Sequence, residues 1–460
     1  MHPHTADGTT RLSLWLRVRE FAVPPSAIET ATTRRLAGDW AGACAAAGVD
    51  VDFPPRSVVR THGRELADRL RADLRHLAPE LLRWHMPRIA PDGLLRPGLT
   101  LTLARYGPAE GAGPLHLVAR TPPAWADAGQ RISLGLWDGS RDEPGARRHP
   151  HPRPDPRFRL DLHRHLWDAR RSDELRVRSG ADRPPSDLDP QGSEGFVPQG
   201  YRCATDRWAA EAALLLEAEG RTTRTVTVRL GSRRRLELHL AEAGDGTGPP
   251  AVRIAEAASG VPAPPVLPDA ATWVLPDLDL LRTGSIDPGR LHPLVASALV
   301  PGHVPDRPSR TPDRAGQPHF VECRGSRHRI GLVDGVLSPL DHDPAEIRRE
   351  ELLAALTGTP LPCLQAIGLA HRRPDCLAGV RERLLHGDTA GALAVVEGLL
   401  GPGALLRDGA LRDELAEAAR RRIAYGLFRA DLTGPRAKPR TGDLLPGIRP
   451  PRRRPSHPRR

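Results

Sequence analysis

Residues 319–346 read HFVECRGSRHRIGLVDGVLSPLDHDPAE, and the change of pattern inside them decides the fold class. Phe320 to Arg324 is β-leaning, Gly325-Ser326 is turn chemistry, and Arg327 to Val333 continues with apolar residues near alternate positions. Asp334-Gly335 is a second turn signal before Val336-Leu337, so two or three short antiparallel strands are expected. Asp343-Pro344-Ala345-Glu346 then starts a helix. The Asp caps exposed backbone N–H groups, Pro at the first helical position loses no needed donor, and Glu can bond back to the cap. Ile347, Leu352, Leu353 and Leu356 give this helix its expected buried side. A last helix is predicted from Leu411, Leu415, Ala419, Ile423 and Leu427, with a buried stripe recurring every four residues.

Strand pairs followed by helices, rather than strictly alternating with them, indicate an α+β fold. At 460 residues several domains are expected. Segments rich in Pro and Gly divide the chain into an N-terminal α+β domain at 10–138, a middle α+β region at 156–258 with an internal loop at 179–200, and a C-terminal hairpin and helical domain at 269–432. Residues 433–460 form a basic tail expected to be disordered. Leu12 to Val23 alternates and reads as a strand. Thr100 to Tyr106, Leu115 to Arg120 and Arg131 to Trp137 read as three strands. Arg207 to Glu219 is an expected helix, followed by strands at Arg221–Leu230, Arg235–Ala241 and Val252–Ala257.

The chain repeats itself once. Leu36-Ala37-Gly38-Asp39-Trp40-Ala41-Gly42-Ala43-Cys44-Ala45 returns as Leu385-His386-Gly387-Asp388-Thr389-Ala390-Gly391-Ala392-Leu393-Ala394. Both fit a helix ended by Gly, a capping Asp and a new helix of small residues. Composition alone is the competing explanation. Two copies are too few for a solenoid. A long helix is expected after the first copy, on Leu66, Leu70, Leu74, Leu77 and Leu81.

The net charge of +11 is concentrated at the end of the chain. The tail from Gly434 holds nine Arg or Lys against Asp443, which leaves the body close to neutral. Weak, sequence-blind nucleic-acid association through Arg452, Arg453 and Arg454 is therefore one expectation. The five Cys, odd in number and without a C-x-x-C, fit a reducing compartment. Cys363, His371 and Cys376 match no standard zinc spacing and read as core thiols beside a surface His. No signal peptide and no long apolar run is evident, so a cytoplasmic protein away from membranes is expected.

Leu160-Asp161-Leu162-His163-Arg164-His165-Leu166 is the sharpest chemical pattern. As a strand it would place Asp161, His163 and His165 on one face, and Leu236-Glu237-Leu238-His239-Leu240 would do the same for Glu237 and His239. Two such strands side by side would offer a divalent metal an Asp/His/His/Glu/His set suited to hydrolase or oxygenase chemistry. The competing reading is an ordinary solvated face. His328 and His342 are further expected to approach across the C-terminal hairpin. No Walker loop, G-x-S-x-G, H-E-x-x-H or dinucleotide fingerprint is present.

The segments LHPLV (291–295), HRIG (328–331) and LDHDP (340–344), in an Arg/Ala/Pro-rich setting, resemble uncharacterised proteins of high-GC actinobacteria over most of the ordered chain. That resemblance implies no activity, cofactor or site residue. The leading functional expectation is an adaptor or regulatory scaffold that binds another protein, with the metal-dependent enzyme as the alternative.

Overall fold

The computed structural model describes residues 8–303 and 319–432, except 108–113, 128–129, 140–148, 184–195, 199, 232–233, 242–251, 257–263, 324, 334–335, 340, 358–360, 366, 368–378 and 401–408. The chain is a multidomain α+β protein. No described helix is long and apolar enough to cross a membrane. Arg452, Arg453 and Arg454 lie outside the described residues.

The N-terminal unit begins with α1 (Gly8–Phe21), α2 (Pro25–Leu36), α3 (Trp40–Ala46), β1 (Val49–Val51), α4 (Pro55–His62), α5 (Arg64–His76) and α6 (Pro79–His85). It continues through a small β2 (Arg88–Ile89) and β3 (Leu94–Leu95) pair to β4 (Thr100–Tyr106), β5 (Leu115–Arg120) and β6 (Ile132–Trp137). The sheet order is β1-β6-β5-β4, with β1 parallel to β6 and the other pairs antiparallel. The three long strands fall where alternation places them.

Leu12 to Val23 is not a strand. It lies almost wholly in α1, whose buried face carries Arg11, Trp15, Val18 and Arg19 at helical spacing. Two of those four are charged, so the apolar residues alone mimic a period of two. The arginines are buried because Asp279 and Asp277 neutralise them. The expected long leucine helix is also corrected. Ala78 is extended (φ −99°, ψ 91°) and Pro79, without an N–H, starts α6 as a separate helix. All five leucines are nevertheless buried.

After α7 (Leu175–Ser179), the middle unit packs α8 (Trp208–Ala218) on an antiparallel sheet of β7 (Thr225–Leu230), β8 (Arg234–Leu240) and β9 (Val252–Glu256). Its core gathers Trp208, Leu215, Val226, Val228, Leu236 and Leu238. Next come α9 (Asp269–Thr272), α10 (Pro276–Arg282) and α11 (Pro293–Leu299). Ala271 and Trp273 enter the middle core, whereas Leu280, Ile286, Leu291 and Val295 enter the N-terminal core. This segment, grouped by its sequence with the C-terminal half, thus closes the seam between the two preceding units.

The C-terminal unit pairs β10 (His319–Cys323), β11 (Ser326–Val333) and β12 (Val336–Pro339) as an antiparallel sheet. The helices α12 (Pro344–Thr357), α13 (Val380–Leu385), α14 (Thr389–Leu400) and α15 (Ala410–Arg429) follow. Asp343 caps α12 through the Ala345 N–H at 2.9 Å, as expected. Its apolar side is not buried: Leu352, Leu353 and Leu356 are 65%, 51% and 86% exposed.

The stripe on α15 is corrected too. Each four-residue step overshoots a helical turn by about 40°, so Ile423 sits about 120° round from Leu411. Ile423 is 57% exposed. The inward line instead runs Leu411, Ala418, Tyr425 at seven-residue spacing, with Leu411 and Tyr425 buried and Ala418 partly buried; Leu415 of the expected stripe also packs partly buried against the core. It carries α15 onto the N-terminal unit, where Tyr425 donates to Asp50, Arg429 pairs with Asp52, and Phe428 meets Trp125 edge-on at 5.6 Å.

The two copies of the repeated decapeptide have one local structure. Gly38 (φ +80°) and Gly387 (φ +85°) end helices, and the following Asp accepts from the backbone N–H of Gly42 (2.8 Å) or Gly391 (2.9 Å). In each case an Arg five residues before the Asp pairs with it, Arg34 on Asp39 and Arg383 on Asp388. The second glycine has a steric reason: a Cβ there would lie 2.1 Å from an Asp39 oxygen or 2.2 Å from an Asp388 oxygen.

Candidate ligand cavity

Leu160 to Leu166 is a turn followed by a 3-10 helix at Arg164–Leu166, so the strand premise of the metal set fails. The Trp167 indole donates to the Leu160 carbonyl at 3.0 Å and folds the segment back on itself. Asp161 is held by both arms of Arg159 (2.8 and 2.8 Å). His163 meets the Arg159 carbonyl (3.0 Å) through Nδ1 and Glu211 (3.1 Å) through Nε2. Glu237 and His239 do share a face of β8, 3.6 Å apart. The five residues do not converge within reach of one ion; among the described residues only Cys323, His342 and Cys363 do so.

His165 points elsewhere, into a cavity of about 110 Å³ at the seam of the N-terminal and middle units. Trp15 and Trp84 come from the first core, Trp273 from the second, and Leu101, Phe158 and Leu275 complete the apolar wall. Such inter-unit clefts are common places for small ligands.

Arginine dominates the polar part of this wall. Arg19 forks onto Asp277 at 2.8 and 2.7 Å, and Arg157 onto Asp269 at 3.0 and 2.8 Å. Arg178 forks onto Glu211 at 2.7 and 2.7 Å. Burial raises the Glu211 carboxyl, but His163 and Arg178 outweigh that and hold it below the usual range. Of the carboxylates that neutralise wall arginines, Asp277, Glu211, Asp161 and Glu219 stand behind the wall; Asp269 alone lines the cavity.

Arg88, Arg96 and Arg207 also line it, and none has a carboxylate in ion-pair contact among the described residues. Arg88 is 2% exposed and donates only to the carbonyls of Arg83 (2.8 Å) and Gly93 (3.5 Å). Burial, then the neighbouring charges of Arg83 and Arg19, pull its pKa well down. Arg207 reaches only the Trp273 carbonyl, at 3.5 Å. Glu211 and Asp206 offset part of the Arg207 charge, whereas Arg88 has only other arginines beside it. A buried charge without a counter-charge costs several kcal/mol, roughly, so this wall is electrostatically incomplete at Arg88.

Two neutral imidazoles complete the lining. His85 Nδ1 lies 3.1 Å from the carbonyls of both Leu81 and Leu166, which requires Nδ1 to carry the proton. Its Nε2 is then a bare acceptor, buried and without a hydrogen-bond partner; Nδ1 of His165 is likewise buried without one. Burial lowers His85 to about 4 and His165 well below the ordinary value. Sequence reading singled out His165 for other reasons and missed His85, Arg88, Arg96 and Arg207. The available signal was the mixed run Arg83-Trp84-His85-Met86-Pro87-Arg88, too polar for the end of a leucine-rich helix unless it lines something.

No protein-family model matches the chain, and neither a curated protein nor a solved structure shows significant similarity to it.

Proposed function

We propose that this protein binds a small organic anion with one ring-sized apolar group, such as an aryl carboxylate or phosphate monoester. The observation that carries the reading is the set Arg88, Arg96 and Arg207, which lack carboxylate partners among the described residues in an aromatic-walled cavity. Guanidinium groups are suited to planar carboxylate and phosphate recognition. Size limits the choice. An apolar protein cavity of roughly 150 Å³ encloses benzene, so a cavity of about 110 Å³ takes a small ring only with part of the ligand reaching out of it, and does not enclose a dinucleotide. His85 Nε2 would accept a hydrogen bond from the ligand.

Calorimetry and thermal shift with benzoate and phenyl phosphate, against neutral benzyl alcohol, test this. An anion should raise Tm and bind, and the neutral ring should do neither. Arg96→Gln, at a half-buried site, should weaken anion binding at least tenfold without lowering Tm. Equal binding of the neutral ring, or no binding of either anion, would reject the reading.

A second reading, macromolecule binding as an adaptor or scaffold, is favoured by the leucines that α12 leaves exposed. Replacing Leu352 and Leu356 together by Ser should leave Tm unchanged and abolish co-purification of a stoichiometric protein. A partner retained by that variant would remove α12 from the account.

A further inference from the structure

Three metal-ligating side chains meet in the C-terminal unit. Cys323 ends β10, His342 stands between β12 and α12, and Cys363 lies in the helical turn at 362–365. Their ligand atoms all lie within 4.8 Å of one another, and both cysteines are fully buried. Cys363 Sγ is 3.5 Å from His342 Nε2. A tetrahedral zinc with Zn–S of about 2.3 Å and Zn–N of about 2.0–2.1 Å sets those two atoms about 3.5–3.6 Å apart. The thiol–imidazole edge therefore already has the length a shared ion requires. Closing the other edges, now within 4.8 Å, needs a contraction of no more than about 1.3 Å.

The surroundings orient the imidazole. Nε2 faces the thiol, and Nδ1 lies 3.9 Å from a Glu346 carboxylate oxygen, one helical turn on. A carboxylate behind a ligating His is a recurrent outer-shell arrangement. His328 stacks on the His342 ring at 4.1 Å and 14°, so the two histidines meet across the hairpin as their sequence positions suggest. Arg329 forks onto Asp341, with its backbone N–H adding a 2.7 Å bond, which pins the residue before His342 to β11.

We propose that Cys323, His342 and Cys363 bind a thiophilic divalent cation, zinc by preference, that staples the hairpin to the helices behind it. Two thiolates and an imidazole select zinc over hard cations such as magnesium or calcium. The unit has a use for a staple, because the described apolar core here is small: Ile330, Ile367, Val380, Leu384, Ala392, Val396 and Leu411. Small cores commonly rely on metals or disulfides. Binding releases the thiol protons to solvent, and no oxidation or reduction is involved. The ligands stand 19 and 21 positions apart in the sequence, so no short Cys/His motif announces them.

The test uses the full chain, purified under reducing conditions without a tag. Elemental mass spectrometry should find about one zinc per chain. Cobalt added after chelation should give thiolate charge-transfer bands and the visible bands of a tetrahedral site, which magnesium cannot displace. Cys323→Ser and Cys363→Ser should each lose the charge-transfer bands, whereas Cys203→Ser, in the middle unit, should keep them. If the ligand variants fail to fold, the chelated wild-type chain with added cobalt still decides the matter. A chain that holds no zinc and shows no charge-transfer band with cobalt overturns the proposal. So does a Cys323–Cys363 disulfide in the protein as isolated, or zinc retained in Cys363→Ser.

Discussion

The two copies of the repeated decapeptide are alike in every local respect and unlike in what surrounds them. Each has a left-handed Gly, an Asp cap, a glycine that makes room for the carboxylate, and an Arg clamp. In the first copy the pair is open to water, with Arg34 and Asp39 side chains 58% and 41% exposed. In the second, Arg383 and Asp388 are each 10% exposed. The first copy has Ala37 where the second has His386, 1% exposed, whose carbonyl takes a 3.0 Å bond from buried Arg83 of the N-terminal unit. Local sequence builds the same corner twice. The tertiary setting turns one into a surface cap and the other into a joint between units.

That contrast is broken most strongly at the carboxylates. Asp388→Ala disrupts a pair nine-tenths buried and should cost about 3 kcal/mol. Asp39→Ala removes an exposed cap and pair and should lower the denaturation midpoint far less. Urea denaturation of both variants measures this. Equal losses would show that burial does not separate the two corners.

Acid gives a smaller and sharper contrast. Burial first, then repulsion by Arg88, lowers His386 to about 4 in the folded chain. The unfolded chain binds this proton near pH 6.5 and the folded chain does not, so the stabilising contribution is complete above pH 6.5. It is lost as pH falls toward 4, and the loss reaches about 2 kcal/mol at pH 5. His386→Ala, which copies the first corner, should flatten the fall in stability between pH 7 and 5 by about that amount. His85, His116 and His149, also lowered to about 4 by burial, retain part of the slope. An unchanged slope in His386→Ala would show that this ring is not the titrating group of the joint.

Strand alternation, the Asp343 cap and the repeated corner were legible because each is a contact between near neighbours in the chain. The failures have both distant and local causes. In α1 the buried face includes Arg11 and Arg19, whose burial depends on Asp279 and Asp277, more than 250 residues away. In α15 a four-residue stripe looked apolar enough, but the helix winds it off the face that meets Asp50 and Asp52. The histidines at 163 and 165 have the spacing of a metal site on a strand, yet Trp167 folds that segment into a turn and splits them between Glu211 and the cavity.

By itself the sequence determined the α+β class, most of the strands, and the turn and cap chemistry, since these depend on backbone preference and on side chains a few residues apart. Tertiary structure alone decided which charges are buried, how 269–299 closes the seam of two cores, and where Arg88, Arg96 and Arg207 meet. The physical reason is that burying a charge or aligning a ligand requires partners from distant segments, and no local pattern records which distant segment arrives.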